Sequence, residues 1–108
     1  MALERNVKVL AEICVIPIHN GSSLRKEIAI AHAILQETGC HVELHSYGTN
    51  IEGDFDIIMG AIKKIHQTLH ENGTVRIHTS MKISSRIDKE QTLQDKVDAV
   101  QAILKESI

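Results

Sequence analysis

Aromatic residues are scarce in this chain of 108 residues, since Trp is absent and Phe55 and Tyr47 are the only Phe and Tyr. A sheet that binds single-stranded RNA needs several stacking aromatic side chains, so the composition argues against an RNA-binding sheet. The core must be built from Ile, Val, Leu and Ala instead. A formal net charge of −2 gives no electrostatic basis for capturing nucleic acid or an anionic membrane surface.

Long apolar runs are missing as well. No segment approaches the ~20 apolar residues of a membrane span, and Lys8 and Glu12 interrupt the N-terminal segment, so that no signal-peptide core remains. Cys14 and Cys40 form no C-x-x-C motif, which favours two reduced thiols over a disulfide. We therefore expect one cytoplasmic domain over residues 1–108, long enough to bury a core.

Three segments combine β-branched residues with the alternation that is typical of strands. They are residues 7–18, residues 41–47 and residues 74–87, of which the last is the longest. Residues 7–18 become apolar on both sides over their second half, which indicates a central strand. Only a short stub of strand is expected near residues 50–53.

Helical spacing of apolar residues predicts three helices, each with capping or terminating residues at its ends. The expected stripes are Leu24, Ile28, Ala31, Ile34 and Leu35; Phe55, Ile58, Met59, Ile62, Ile65 and Leu69; and Leu93, Val97, Val100 and Ile103. The expected caps are Ser22 or Ser23, then Asp54 or Asp56, then Asp88 with Gln91 or Thr92 with Asp95; Gly39 and Asn72-Gly73 end the first two helices.

This order of elements predicts an α+β fold, a ferredoxin-like β-α-β-β-α-β sandwich with an antiparallel sheet and an extra C-terminal helix. The helices cover one face of such a sheet, and we call the other face the open face. Its expected members are Cys14, Ile16 and Ile18 in the centre, with His41, His45, Tyr47, Arg76, His78, Lys82 and Arg86 around them. An apolar centre with a polar surround favours a subunit interface, although a solvated face is the alternative.

The sequence evidence for a catalytic site is weak. His66 and His70 have the i, i+4 spacing of a zinc-binding pair, but Gln67 stands where the H-E-x-x-H motif needs its Glu. No Ser-His-Asp or Cys-His arrangement follows from order and spacing, so we predict no catalytic residue, no metal ligand and no cofactor. A small metal- or phosphate-dependent enzyme and a ligand-free assembly or regulatory module stay open as competing hypotheses.

The segment 46–53 is the most unusual of the chain, because two glycines bracket Thr49, Asn50 and Glu52 beside Ser46 and Tyr47. One interpretation is a site where a carboxylate, hydroxyls, an amide and a ring converge on a ligand. The other is a tight turn with a surface Glu, and physical pattern alone favours the turn.

Four short motifs favour the ligand site over the simple turn. They are Val15-Ile16-Pro17-Ile18, the run Ser-Tyr-Gly-Thr-Asn-Ile-Glu-Gly at 46–53, His78-Thr79 followed by Lys82-Ile83, and Asp95-Lys96-Val97. In sequence and spacing they resemble the thiamine-binding protein family, the YkoF-like group of ferredoxin-like proteins, from Val7 to about Leu104. The resemblance implies a small cytoplasmic protein that pairs through its sheet into dimers or tetramers and binds thiamine or its hydroxymethylpyrimidine portion.

The resemblance also implies a set of ligand-binding residues. They are Glu52, Gly48 and Thr49 first, then Ser46, Asn50 and Tyr47, and finally Thr79 and Lys82. A carboxylate such as Glu52 can engage the protonated ring nitrogen and the amino group of an aminopyrimidine, while Tyr47 stacks on the ring. We therefore expect a non-catalytic binding protein whose site lies at a homo-oligomer interface, with no role for nucleic acid or membrane.

Overall fold

The computed structural model describes residues 6–18, 21 and 24–106. Its elements in chain order are β1 (Lys8–Ile18), α1 (Arg25–Glu37), β2 (His41–His45), β3 (Gly48–Asp54), α2 (Phe55–Glu71), β4 (Arg76–Ser84) and α3 (Leu93–Glu106). The strands form one sheet in the order β2-β3-β1-β4, and every neighbouring pair is antiparallel. The predicted ferredoxin-like order with an added C-terminal helix is confirmed.

The core lies between the sheet and the helices α1 and α2. Side chains alternate between the two faces along β1, and Val9, Ala11 and Ile13 are buried on this side. The remaining buried apolar residues are Ala31, Ile34, Leu35, Ile51, Ile58, Ala61, Ile62, Ile65 and Leu69. Each fully buried Ile or Leu contributes about 1.5–3 kcal/mol, so aliphatic packing replaces the missing aromatic core.

The three predicted helices are present, one of the two candidate caps of α2 is selected, and the predicted α1 stripe residue Ile28 is 42% exposed. Asp54 caps α2, since its Oδ2 accepts from the Ile57 backbone N–H at 3.1 Å. Met59, expected in the α2 stripe, is 39% exposed, and Ala61 is buried in its place because it lies on the Ile58 side of the helix. The predicted caps Ser22 and Ser23 lie outside the described residues.

The expected strand lengths were wrong for β3 and β4. β3 is a full strand of seven residues, because the β2–β3 turn takes only Ser46 and Tyr47 and every following residue pairs. β1, with 11 residues, is longer than β4 with nine. Pairing of β4 with β1 stops at Ser84 opposite Leu10, and residues 85–87, which were expected in the strand, belong to the following loop.

Gly48 lets the β2–β3 hairpin approach β1 closely. Its φ is +152°, and a Cβ at this position would lie 2.5 Å from the carbonyl oxygen of Ile13. An alanine would therefore collide with the backbone of β1. The glycine sets how tightly the hairpin closes against the central strand.

The α3 helix is attached mainly through its first turn. Thr92 and Asp95 cap each other's backbone N–H groups at 2.9 and 3.0 Å, as the sequence predicted, and the Leu93 N–H donates to Glu52 Oε2 at 3.0 Å. None of the described residues of α3 is buried. Its apolar stripe remains exposed at Val97 (48%), Val100 (58%), Ile103 (63%) and Leu104 (58%).

Candidate functional site

The open face carries most of the residues that parity assigned to it. Cross-strand register places His41 opposite Glu52, Glu12 opposite both Asn50 and Lys82, and His45 opposite Gly48. In the centre, Ile16 and Ile18 are 40% and 41% exposed. The second face of the sheet thus keeps an apolar centre uncovered by the described helices.

Two predicted ligand-binding residues do not belong to this face. Register places Thr49 opposite Ile13 and Thr79 opposite Val15, and both threonines point toward the helices. Thr49 is only 5% exposed, while the Thr79 hydroxyl lies 2.6 Å from His66 Nε2 on α2. The alternation of β3 and β4 therefore places the eight predicted residues on both faces of the sheet of one subunit.

A cavity of about 230 Å³ lies between the β2–β3 hairpin, α1 and the second half of β1, and we call it the hairpin pocket. Its walls are mostly apolar and include Ile13, Val15, Leu24, Ile28, Ala31 and Leu35. Its polar lining comes from His32, His45, Ser46, Tyr47 and Thr49. Four of the predicted site residues (Ser46, Tyr47, Gly48 and Thr49) thus meet here.

Histidines organise the polar side of the hairpin pocket. His32 Nδ1 lies 3.4 Å from Thr49 Oγ1, which joins α1 to β3 across the cavity. His45 Nδ1 accepts from the Tyr47 backbone N–H at 3.2 Å, so in the neutral ring Nε2 carries the proton. That Nε2 is shielded from solvent 3.3 Å from Glu12 Oε2, without forming a hydrogen bond.

A second depression, the open-face cleft, lies between the sheet and the first turn of α3. It measures about 280 Å³, and its lining includes Leu10, Glu12, Asn50, Lys82, Leu93 and Lys96. Glu52 stands beside it on β3, where its carboxylate binds the Leu93 N–H. Asn50, Lys82 and Glu52 therefore form a group of their own, on the opposite side of the sheet from Thr49.

A third and larger depression, about 710 Å³, follows the loop 84–91 and the start of β1. Its lining includes Lys8, Arg86, Asp88, Lys89 and Glu90 and none of the predicted site residues. Arg86 holds the pKa of Asp88 down at about 2 through their side-chain hydrogen bonds. Arg86 and Asp88 thus form an exposed ion pair, which is typical of a solvated surface.

The histidine pair of α2 has structural partners. His66 contacts Thr79, and His70 Nδ1 donates to the Thr74 carbonyl at 2.7 Å. Across residues 6–18, 21 and 24–106, no group of three or more His, Cys, Asp or Glu side chains could hold a metal ion. Over the same part of the chain, no helix is long and apolar enough to cross a membrane.

Fold and cavities together define a ferredoxin-like domain with a small apolar pocket beside a hairpin. The chain belongs to the thiamine-binding protein family, whose sequence profile matches residues 11–101. It is 38% identical over 101 residues to the UPF0045 protein sll0230 of Synechocystis sp., covering 94% of this chain and 84% of that one. It is 41% identical to the UPF0045 protein ECM15 of Eremothecium gossypii, over 85% and 89% of the two chains.

Solved structures agree with the fold. The hypothetical protein MJ1052 of Methanocaldococcus jannaschii superposes with a TM-score of 0.80 at 37% identity, over 87% of this chain and 96% of that one. A Thermotoga maritima protein named for thiamine biosynthesis or salvage superposes with a TM-score of 0.74 at 25% identity, over 86% and 98%. Both structures agree with the family assignment and with the fold.

Sequence reasoning missed three residues that the geometry brings to these cavities. His32 lies beside the apolar stripe of α1, and a polar residue at that position was the available signal. Glu12 is a carboxylate in the middle of a central strand, which is itself unusual enough to indicate a role. Val15 was noted only as part of the Val15-Ile16-Pro17-Ile18 motif, because its side chain is ordinary for a strand.

Proposed function

We propose that this protein binds thiamine or its hydroxymethylpyrimidine portion without altering it chemically, and that the pyrimidine ring occupies the hairpin pocket. The observation that carries the proposal is a mostly apolar cavity with a few convergent polar groups, which is the usual form of a small-molecule site. Four residues that resemblance to the family selected line this cavity.

The size of the cavity favours one ring over two. An apolar cavity of roughly 150 Å³ accepts benzene, so about 230 Å³ accommodates a pyrimidine with its methyl and hydroxymethyl groups. The thiazolium ring of intact thiamine would then extend past the hairpin, where Tyr47 is 85% exposed. This arrangement keeps the permanent positive charge of the thiazolium in solvent.

Polar groups of the hairpin pocket match the edges of such a ring. Thr49 and His32 already form a polar pair at the cavity wall, and Ser46 adds a hydroxyl at the turn. Because Glu52 and Lys82 lie on the open face, we assign them to the surroundings of α3 rather than to the ring. Asn50 joins that second group.

Self-association through the open face and α3 is the second part of the proposal. The 14-residue helix α3 has no buried residue, and a helix of this length is only marginally stable in isolation. We therefore expect another surface to cover its exposed apolar stripe. A second copy of the chain offers the uncovered Ile16 and Ile18 for this contact. Ile16 also lines the hairpin pocket, which supports a ligand site at the edge of the proposed interface.

Isothermal titration calorimetry tests the binding. Thiamine, thiamine pyrophosphate and hydroxymethylpyrimidine are titrated into the protein at ~100 μM, a concentration suited to weak sites. We expect binding of hydroxymethylpyrimidine and its recovery unchanged by mass spectrometry. Heat from none of the three ligands would overturn the proposal, and conversion of a ligand would overturn its non-catalytic part.

A matched pair of variants locates the site. Thr49→Val removes the hydroxyl beside His32 and should weaken hydroxymethylpyrimidine binding about 5- to 10-fold, the equivalent of one hydrogen bond. Thr79→Val removes a hydroxyl of the same sheet face that contacts His66 instead, and should leave affinity unchanged. Equal effects of the two substitutions would argue that the ligand does not enter the hairpin pocket.

A further inference from the structure

The central strand continues beyond the end of its neighbour at the hairpin pocket. Pairing of β1 with β3 stops at Ile13 opposite Thr49, whereas pairing with β4 runs on to Ile18 opposite Arg76. Among the described residues, no strand pairs with β1 on its β3 side after Ile13. Within the described part of the chain, this stretch of an interior strand thus has one edge without a pairing strand, and the hairpin pocket lies along it.

The direction of the backbone groups on this edge follows from Gly48. Since the Ile13 carbonyl oxygen lies 2.5 Å from where a Gly48 Cβ would stand, that carbonyl points toward β3. The N–H and C=O of one strand residue point to the same side, and the side alternates with each residue. The N–H and C=O of Val15 therefore point toward β3 as well, beyond the last β3 pair and into the region that Val15 lines.

Val15 is the one β1 residue of this edge that offers both a backbone N–H donor and a backbone C=O acceptor. In the extension from Cys14 to Ile18, the residues that point this way are Val15 and Pro17, and proline has no N–H. Backbone donors and acceptors at a strand edge are strong groups that pair with whatever presents the complementary pattern.

The geometry points to the Val15 peptide as the group that recognises the ligand. Its N–H donates to a ring nitrogen and its C=O accepts from an adjacent amino group. The planar edge of a 4-aminopyrimidine thus pairs with β1 where a longer β3 would have paired. This inference rests on the proposed function and names the chemistry of that site: a neutral ring with a hydrogen-bond acceptor next to an amino donor.

Recognition by the Val15 peptide requires an uncharged ligand ring, whereas pairing with a carboxylate requires a protonated one. A carboxylate selects the protonated ring, whereas the Val15 N–H needs the lone pair of an unprotonated ring nitrogen. The surrounding walls from Ile13, Ala31 and Leu35 are apolar and are suited to an uncharged ring.

An edge-inverted analogue tests the inference by calorimetry. In the 4-oxo counterpart of hydroxymethylpyrimidine, a carbonyl replaces the amino group and the neighbouring nitrogen carries hydrogen, which reverses donor and acceptor. We expect the oxo compound to bind at least ~10-fold more weakly than the amino compound. Equal affinities would overturn the role of Val15 while leaving the proposed function intact. The absence of binding heat with both compounds would instead count against the proposed function.

Nuclear magnetic resonance provides the residue-specific test. On titration with hydroxymethylpyrimidine, the Val15 amide proton should shift downfield and its exchange with solvent should slow. Val15→Thr, which keeps the N–H and the side-chain shape, should retain the affinity, and Val15→Pro should lower it at least ~10-fold. An amide proton that neither shifts nor gains protection at saturation would exclude the contact, whatever the folding of the proline variant.

Discussion

The hairpin pocket lies beside α1 at the end of the β2–β3 hairpin, the open-face cleft lies beside α3, and the two differ in the charges that line them. The hairpin pocket has aliphatic walls with a few polar groups and no Asp, Glu, Lys or Arg among its described lining residues, whereas Glu12, Lys82 and Lys96 line the open-face cleft. Apolar walls suit an uncharged ring, and paired surface charges suit the rim of an interface. A single strand, β3, supplies alternate residues to both, so neighbours in sequence serve different surfaces.

Replacing Gly48 by Ala should have the largest effect, because it breaks the close approach that shapes the hairpin pocket. A Cβ 2.5 Å from the Ile13 oxygen forces the hairpin away from β1, and we expect a loss of about 3 kcal/mol in the free energy of unfolding. Urea unfolding measures it. Gly39→Ala is the control, since φ is +78° there and no atom lies within 4 Å, so only about 1 kcal/mol should be lost. Similar losses would show that the approach to β1 carries no special strain.

Val100→Glu should separate the two regions by acting on the open side alone. Val100 is 58% exposed within the apolar stripe of α3, and a charge there should weaken self-association at least ~10-fold. Sedimentation or light scattering over a dilution series measures the association. Ala102→Glu places the same charge on the opposite side of the helix and should change little. An unaltered assembly in Val100→Glu would remove α3 from the interface.

Acidification should loosen α3 by protonating the carboxylate that caps its first turn. The Thr92 backbone N–H lowers the pKa of Asp95 below its ordinary 3.8, so the folded state favours the carboxylate. This stabilisation is present above about pH 3.8 and is lost as the pH falls through the lower folded value. Helical circular dichroism should therefore decline in that window, and Asp95→Asn should lessen the decline. A pH profile identical in the variant would show that this cap does not hold α3.

Glu52→Gln should have the smallest effect and gives the sharpest comparison of the two regions. The amide oxygen can still accept from the Leu93 N–H, so α3 stays attached. If the ligand occupies the hairpin pocket, affinity for hydroxymethylpyrimidine should change less than twofold. A fall of tenfold or more would return the site to the open face and to the carboxylate pairing expected from sequence.

Much of the fold was predictable because it depends on periodicity. The alternation around Ile13 and the spacing of Ile58, Ile62 and Ile65 fix which sides are buried, and capping residues fix where α2 and α3 begin. The length of β3 was not predictable, because its glycines suggest a turn until β1 supplies a partner.

The candidate site was predictable only in part. Ser46, Tyr47 and Thr49 are close in sequence and meet at one turn, so a local motif could find them. His32 reaches Thr49 through tertiary packing of α1, which no local pattern encodes. Backbone groups such as those of Val15 are invisible to residue-type reasoning, since every residue has them and only topology leaves them unpaired.

Ile16 belongs to two surfaces at once, the wall of the hairpin pocket and the exposed centre of the open face. Under the proposals above, binding and assembly are then thermodynamically linked through this side chain. A ligand that favours the assembled form by some factor is itself bound more tightly by the assembly, by that same factor. Measured affinity would consequently depend on protein concentration, and dilution would release ligand as well as subunits.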